Sequence, residues 1–304
     1  MADILDAVDA AHGDGKEMAV RRLSLALGAE ITGVQLAGAS EALIEQVRDL
    51  LVEHKVLFFP SQNITMAEHV ALGRQFGPLE GHPNLVNPYP EFPEMFELAA
   101  SRGGIADEWH SDLTFLESPS VMSVLKMVKC PELGGETQWT NLEMAYEQLS
   151  APMRDLVDGL TAMHDARAHG KPELKRVHPA VRVHPVSGRR SLFVNEHFTD
   201  RLVELSREES DLLLSHLTRW VHSDRFTVRY RWSENTIAMW DNRSTQHFVF
   251  NNVEGERIIQ RVTIMGDTIE GNPRKWPVFT RGIGATSRLD RVVEDYFAAH
   301  PDEA

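Results

Sequence analysis

The sequence predicts an α+β protein organised around a β-sandwich or jelly roll. Three observations predict it. Many short apolar or alternating runs are separated by Gly- and Pro-containing turns, the pattern of a strand-rich core. Helical patterns fall early and in groups between those runs, rather than alternating with them strand by strand. No internal repeat, low-complexity tract or domain-scale linker interrupts residues 1–304, so one domain is expected, with 1–20 as a tail and 271–304 as a C-terminal extension.

Taken in order, Arg22 to Gly38 holds short apolar runs broken by Gly28, Gly33 and Gly38 and reads as a β-hairpin. Leu43, Val47, Leu50 and Leu51 have helical spacing, giving a helix over 41–54. Val56 to Phe59 is an apolar strand stopped by Pro60, and Thr65 with Glu68 forms a capping box that opens a second helix. Residues 77–93 are rich in Pro and Gly and read as loop. Val121 to Val128 is a core strand, Gly134-Gly135 a turn and Thr137 to Trp139 a short strand. Thr140 with Glu143 reads as a second capping box, and Ser150-Ala151-Pro152 opens a further helix. Residues 166–180, charged and broken by prolines, read as a long binding loop or lid. A hairpin follows around Pro185 to Gly188, then a helix capped by Ser206 and Glu209. Phe226 to Trp232, Thr236 to Trp240 and Arg257 to Met265 are strands, and a last helix runs from Ser287 to about Ala299.

Composition excludes several classes. The net charge of -14 argues against a nucleic-acid-binding surface. The single cysteine, Cys130, excludes an intrachain disulfide and suits a reducing compartment. No apolar run approaches the ~18 residues of a membrane span, and the acidic N-terminus is no secretory signal. A cytoplasmic protein, acting as a homo-oligomer, is expected.

The chemistry centres on Trp109-His110-Ser111-Asp112-Leu113-Thr114-Phe115. Its aromatic and branched flank favours a strand, in which residues i and i+2 share a face. His110 and Asp112 then supply two thirds of a 2-His-1-carboxylate set, the arrangement that holds Fe(II) and leaves positions open. A bare His-x-Asp is weak: His12 and His300 begin similar tripeptides near the termini, and His222 begins one at a helix end. His110 and Asp112 alone sit in an apolar run, and a buried structural histidine is an even match for that pattern. His247, after the strand ending Trp240-Asp241-Asn242-Arg243, is the candidate second histidine, although taken singly it reads as a surface residue. Arg257 and Arg261 share one strand face, roughly 13 Å apart and opposite Ile258, Val262 and Ile264. That face is either solvated or turned inward, each arginine clamping an anion by a bidentate contact.

In order and spacing, His110, Asp112, Thr137, His247, Arg257 and Arg261 resemble the taurine dioxygenase family of Fe(II)/2-oxoglutarate-dependent oxygenases. The resemblance runs from about Leu23 to Asp267 and includes Phe76-Gly77-Pro78-Leu79, Gly134 to Trp139, His184 to Gly188 and Phe193-Val194-Asn195-Glu196. It implies a double-stranded β-helix, the jelly roll of that superfamily, with surrounding helices. It implies that His110, Asp112 and His247 bind iron, that Arg257 and Thr137 hold 2-oxoglutarate, and that His82, Phe198 and Arg261 contact the substrate. The implied reaction consumes O2 and 2-oxoglutarate and hydroxylates a small organic acid, most simply a sulfonate such as taurine, with release of sulfite and an aldehyde.

Leu85, Ala106 and Ala166 stand where the taurine enzymes carry a tyrosine, an asparagine and a phenylalanine. Each change enlarges the pocket or makes it more apolar, and losing a hydrogen-bonding group weakens selection for a polar substrate. An alkyl sulfate or an aryloxyalkanoate is therefore the alternative substrate. Two readings from other classes are a zinc hydrolase, which has no use for Thr137 and Arg257, and a non-catalytic jelly-roll binding protein.

Overall fold

The computed structural model describes residues 18–81, 88–102, 106–280 and 288–301. Its main feature is an eight-stranded sheet with neighbouring strands in the order Ala19–Arg22, Ala29–Thr32, Val56–Phe59, Ile237–Asp241, Ser120–Lys129, Ile258–Met265 and Leu79–Glu80; Met95–Ala99 also pairs with Ile258–Met265. All its pairings are antiparallel except that between Ala29–Thr32 and Val56–Phe59. Thr227–Tyr230, Thr137–Asn141 and Thr245–Val249 form a separate three-stranded antiparallel sheet.

Side-chain alternation explains why both faces of the large sheet are covered. Leu57, Phe59, Met122, Val124, Ile237, Met239, Val262 and Ile264 turn to one face, against Leu43, Val47 and Leu51 of helix α1 (Glu41–His54) and Val70 and Leu72 of helix α2 (Met66–Arg74). Val56, Phe58, Leu125, Met127, Ala238, Trp240 and Ile259 turn to the other, against Trp139, Val228 and Tyr230 of the small sheet. Two sheets, antiparallel but for that one pairing, thus enclose an aromatic core, in which Phe58 stacks on Tyr230 at 3.8 Å and meets Trp139 edge-on at 5.2 Å. Such strands read as continuous apolar runs because both faces are dry.

Helices α3 (Leu142–Glu147), α4 (Ala151–Val157) and α5 (Arg207–Val221) pack around a second core with Leu192, Val194 and Leu202. Helix α6 (Arg288–Ala299) is amphipathic and buries Val293, Tyr296 and Phe297 against Met163 and Val203. Among the described residues no helix is long and apolar enough to cross a membrane.

Four sequence expectations need correction. The first strand already begins at Ala19, inside the expected tail. Residues 166–180 are not a loop: Thr161–Ala166 and Lys171–Pro179 pair antiparallel across the short turn Arg167–His169. Charge misled there because much of the second strand is only half-buried or exposed. The helix after Thr140 is capped by Asn141, whose side chain accepts from the Met144 amide. Thr140 instead donates to the Val221 carbonyl, and Glu143 faces Lys55 at 2.9 Å in a buried ion pair. Finally, 109–115 is not a strand.

Candidate metal centre and anion cavity

His110 makes one isolated bridge, to His247. The two backbones exchange hydrogen bonds, His110 N–H to His247 O at 3.1 Å and His247 N–H to His110 O at 2.8 Å. With both backbone groups of His110 spent on one partner, the rings lie 4.3 Å apart between centroids. The chain then turns away. Leu113 sits at φ +58°, a conformation uncommon for a branched residue and found where the surroundings over-determine it. The surroundings are visible: Ser111 Oγ donates to the Thr245 carbonyl at 2.6 Å, and Asn195 Nδ2 donates to Thr114 Oγ1 at 3.2 Å. His110 and Asp112 therefore converge through a tight turn and not through the pleat of a strand. Nε2 of His110 and Oδ1 of Asp112 are 3.7 Å apart.

His110, Asp112 and His247 each offer a ligand atom, all within 4.8 Å of one another, and all three residues are buried. They form the one such group found among the described residues. His110 Nδ1 lies 2.7 Å from the Glu108 carbonyl, which can only accept, so Nδ1 carries the hydrogen and Nε2 keeps its lone pair. Burial pushes the His110 imidazole down to about 4 and the His247 imidazole well below its ordinary value. Both are neutral at pH 7, the form that ligates metal. Nδ1 of His247 is buried with no partner among the described residues. Burial opposes ionisation of Asp112, but Arg261, the two histidines and Ser123 outweigh it and hold the carboxyl well below the usual carboxylate range. One anionic and two neutral donors in a buried cluster fit a divalent cation.

Asp112 is fixed by its neighbours. Ser123 Oγ donates to Oδ2 at 2.9 Å and Asn242 Nδ2 at 3.2 Å, while Asn242 Oδ1 accepts from the Asp112 amide at 3.3 Å and from Trp240 Nε1 at 3.0 Å. Arg261 Nη1 donates to Oδ1 at 3.0 Å.

A small, partly open cavity of about 30 Å3 adjoins the cluster, lined by Thr137, His247, Arg257 and Arg261 among apolar side chains that include Leu125 and Trp240. Thr137 Oγ1 accepts from Trp232 Nε1 at 3.0 Å. Arg257 donates from Nε to the Gly135 carbonyl at 3.1 Å, and among the described residues it forms no ion pair. Burial alone pushes its guanidinium down to about 10. Gly135 must be glycine for two reasons: its φ is +68°, and a Cβ there would come within 2.9 Å of Arg257 Cδ.

The family model for the taurine catabolism dioxygenase TauD, TfdA family matches residues 19–263. The chain belongs to the TauD/TfdA family of dioxygenases. An alkylsulfatase of Acinetobacter baylyi is 34% identical over 280 residues, covering 84% of this chain and 87% of that protein. An alpha-ketoglutarate-dependent sulfate ester dioxygenase of Pseudomonas putida is 33% identical, covering 84% and 92%. A crystal structure of a taurine dioxygenase from Burkholderia xenovorans superposes with a TM-score of 0.78 at 36% identity, covering 88% of this chain and 96% of that one.

Within this TauD/TfdA chain the remaining sequence candidates fall as follows. Phe198 meets the His110 ring edge-on at 6.2 Å and belongs to an apolar cluster with Leu113, Phe115 and Ala166. Ala106 lines the cavity beside His247 and Arg257. His82 and Leu85 lie outside the described residues. His222 stacks on Trp109 at 4.5 Å and His300 on Tyr296 at 4.3 Å, apart from the metal cluster. Sequence reasoning missed Asn242 and Ser123, the two uncharged anchors of Asp112. It also missed His169 and His197, which lie 5.3 Å and 4.4 Å from the Phe198 ring. Asn242 lies within the stretch Trp240-Asp241-Asn242-Arg243, and His197 directly follows Phe193-Val194-Asn195-Glu196. Ser123 and His169 carry no local signal.

Proposed function

We propose that this protein is an Fe(II)- and 2-oxoglutarate-dependent dioxygenase with a double-stranded β-helix core, acting on an alkyl sulfate ester. The observation that carries the reading is the pairing of one His-Asp-His cluster with two buried arginines four residues apart. Arg261 contacts Asp112, whereas Arg257 looks into the cavity beside Thr137 with no acidic partner among the described residues. A buried guanidinium without a carboxylate calls for an anionic ligand.

His110, Asp112 and His247 would hold the metal. Arg257 would take the distal carboxylate of 2-oxoglutarate in a charge-assisted contact, with the Thr137 hydroxyl beside it. Arg261, His82 and Phe198 would position the substrate, Arg261 by its charge and Phe198 by its ring. Fe(II) with 2-oxoglutarate and O2 supplies the oxidising chemistry that puts one oxygen on the substrate carbon and the other into succinate, with loss of CO2. The protein's own share is to neutralise two anions, aim one C–H bond and keep the site dry. A hydroxyl on the carbon next to a sulfate ester oxygen leaves an adduct that falls apart to an aldehyde and sulfate.

The apolar cluster around Ala166 and Phe198, together with Ala106 in the cavity wall, favours a hydrocarbon next to the head group. Two sulfate-ester relatives agree with that choice. Taurine is the second reading, supported by the 36% identity to the Burkholderia taurine dioxygenase. Succinate production from 2-oxoglutarate with Fe(II) tests both. Hexyl sulfate should exceed taurine in kcat/KM by at least about tenfold, the value of one or two buried methylenes. The reverse order would return taurine, and stimulation by neither would end the reading of an anionic sulfur substrate.

A further inference from the structure

Asn195 is buried between the metal turn and Phe198, and its side-chain amide bonds one end to each. Nδ2 donates to Thr114 Oγ1 at 3.2 Å, across 81 residues of chain, and Oδ1 accepts from the Phe198 amide at 2.8 Å. The Asn195 backbone is fixed as well: its N–H donates to Thr199 Oγ1 at 2.9 Å, and its carbonyl accepts from the Thr199 amide at 3.3 Å. The Phe198 carbonyl in turn accepts from the Asp165 amide at 2.9 Å. A shift of the Asn195 side chain therefore disturbs both of its ends at once.

The Thr114 end matters because the turn it holds is strained. Leu113, between Asp112 and Thr114, stands at φ +58°, and a branched residue keeps that conformation only while its neighbours enforce it. Asn195 Nδ2 can only donate to Thr114 Oγ1, so the hydroxyl gives its own hydrogen to His164 Nδ1, 3.0 Å away. Burial pushes the His164 imidazole well below its ordinary value, so the ring is neutral and Nδ1 can accept. Asn195, Thr114 and His164 thus form one buried, ordered chain behind the turn. The Phe198 end matters because that ring meets the His110 ring edge-on at 6.2 Å.

We propose that Asn195 is a positioning residue: through one amide it holds the metal turn in its ligating shape and the Phe198 ring against His110. The proposal rests on the reading of His110, Asp112 and His247 as metal ligands and of Phe198 as the neighbour of the substrate. It adds to them a residue that acts only through others. A turn released from Asn195 spends part of its time relaxed, and apparent metal affinity falls with the fraction that keeps its shape. One net hydrogen bond shifts that balance about three- to tenfold.

Mn(II) titration of the metal-free, full-length protein, followed by electron paramagnetic resonance, reads the turn without any turnover. Thr114→Val keeps the side-chain shape and removes the hydroxyl; it should weaken Mn(II) binding about three- to tenfold, while Thr114→Ser stays within about twofold. Asn195→Leu, or Asn195→Ala if the melting curve shows that the leucine variant does not fold, should weaken Mn(II) binding as much as Thr114→Val. Because it also frees the Phe198 amide, it should raise the KM at least about fivefold for whichever of hexyl sulfate and taurine the Fe(II)-loaded protein oxidises, a KM that Thr114→Val leaves within about twofold. Gln62→Leu controls for lost stability, since it removes another buried amide, one that bonds the Leu36 N–H and the Val34 carbonyl. Its Mn(II) affinity should equal that of the wild type. Wild-type Mn(II) affinity in Thr114→Val or in the Asn195 variant, an equal loss in Thr114→Ser, a matching loss in Gln62→Leu, or an unchanged KM in the Asn195 variant would each overturn the proposal. A wild type that binds no Mn(II) would bring down the metal reading and this proposal with it. If neither acid is oxidised, the head-group reading alone fails, and the Mn(II) series by itself upholds or overturns the role of Asn195.

Discussion

Arg261 holds Asp112 through a single nitrogen, Nη1, 3.0 Å from one carboxylate oxygen and 3.2 Å from the other. Among the described residues its buried Nε has no partner. Arg257, on the same side of the cavity, touches no residue of the metal cluster among the described residues and donates to Gly135. The two arginines should therefore be separable. Removing one partner of a buried charge pair costs about 2–5 kcal/mol, roughly 30-fold or more in affinity. Arg257→Ala should raise the KM for 2-oxoglutarate by at least that factor. Arg261→Ala should raise the substrate KM, leave that of 2-oxoglutarate within about threefold, and increase succinate formation uncoupled from substrate oxidation. Lysine should rescue either only in part, since an ammonium lacks the planar fork. Steady-state kinetics with both ligands varied decides this; equal losses for both ligands in both variants would show that the arginines act through the strand.

Asn242 should tune the metal site without touching the metal. Its amide gives one hydrogen bond to Asp112 and takes one from the Asp112 backbone, and Trp240 fixes its orientation. Partners of this kind typically cost 10- to 100-fold in metal affinity when lost. Anaerobic Fe(II) titration of Asn242→Ala should show a loss in that range, and unchanged affinity would remove Asn242 from the site's support.

The pair Lys55–Glu143 should matter for stability. Lys55 ends α1 at φ +67°, and Glu143 lies on α3 with Arg189 also 2.8 Å away. Both members of the pair are buried, so Glu143→Ala strands an ammonium in the interior and should cost about 3–5 kcal/mol. Urea denaturation measures it. Lys55→Met should cost less, because Arg189 still faces the carboxylate.

His69 should make the fold acid-sensitive. It is fully buried, its Nε2 lies 3.0 Å from the Val124 carbonyl, and its Nδ1 has no partner among the described residues. Burial lowers its imidazole to about 4. The unfolded chain takes up this proton near pH 6.5 and the folded one only near pH 4. Stability is therefore intact above about pH 6.5 and declines as pH falls toward 4, by up to about 3 kcal/mol for this one group. Urea midpoints at pH 7 and 4.5 should converge in His69→Gln relative to the wild type. An unchanged gap would place the acid sensitivity elsewhere, with His178, also lowered to about 4 by burial, the next group to replace.

Local patterns that depend on neighbours in sequence were legible. The capping boxes at Thr65 and Ser206 form, and the apolar runs at Val56 and Ile237 are strands, because capping and alternation are short-range. Features fixed by distant partners were not. Thr140 and Glu143 have the spacing of a capping box, but Val221 and Lys55 claim their side chains. The flank of His110 has strand propensity, but the one bridge to His247 and the anchors on Ser111 and Thr114 bend it into a turn. The charged residues of 171–176 suggested a loop, although their backbones pair as a partly exposed strand. Residue type alone left His110 and Asp112 level with a structural histidine and His247 as a surface residue; it was the resemblance to a family, in the order and spacing of several motifs, that joined the three. Ser123 and Asn242 are ordinary polar residues until Asp112 is seen between them.

The reciprocal bridge between His110 and His247 has a consequence for how the protein matures. Asp112 depends on Asn242 and Arg261, 130 and 149 residues further along the chain. Each such contact closes a long loop, whose entropy is lost before the contact is gained. A chain in which the strand Ile258–Met265 is not yet seated lacks the Arg261 contact that holds the Asp112 carboxylate. The geometry that brings His110, Asp112 and His247 together is thus a property of the finished fold and of no segment of it.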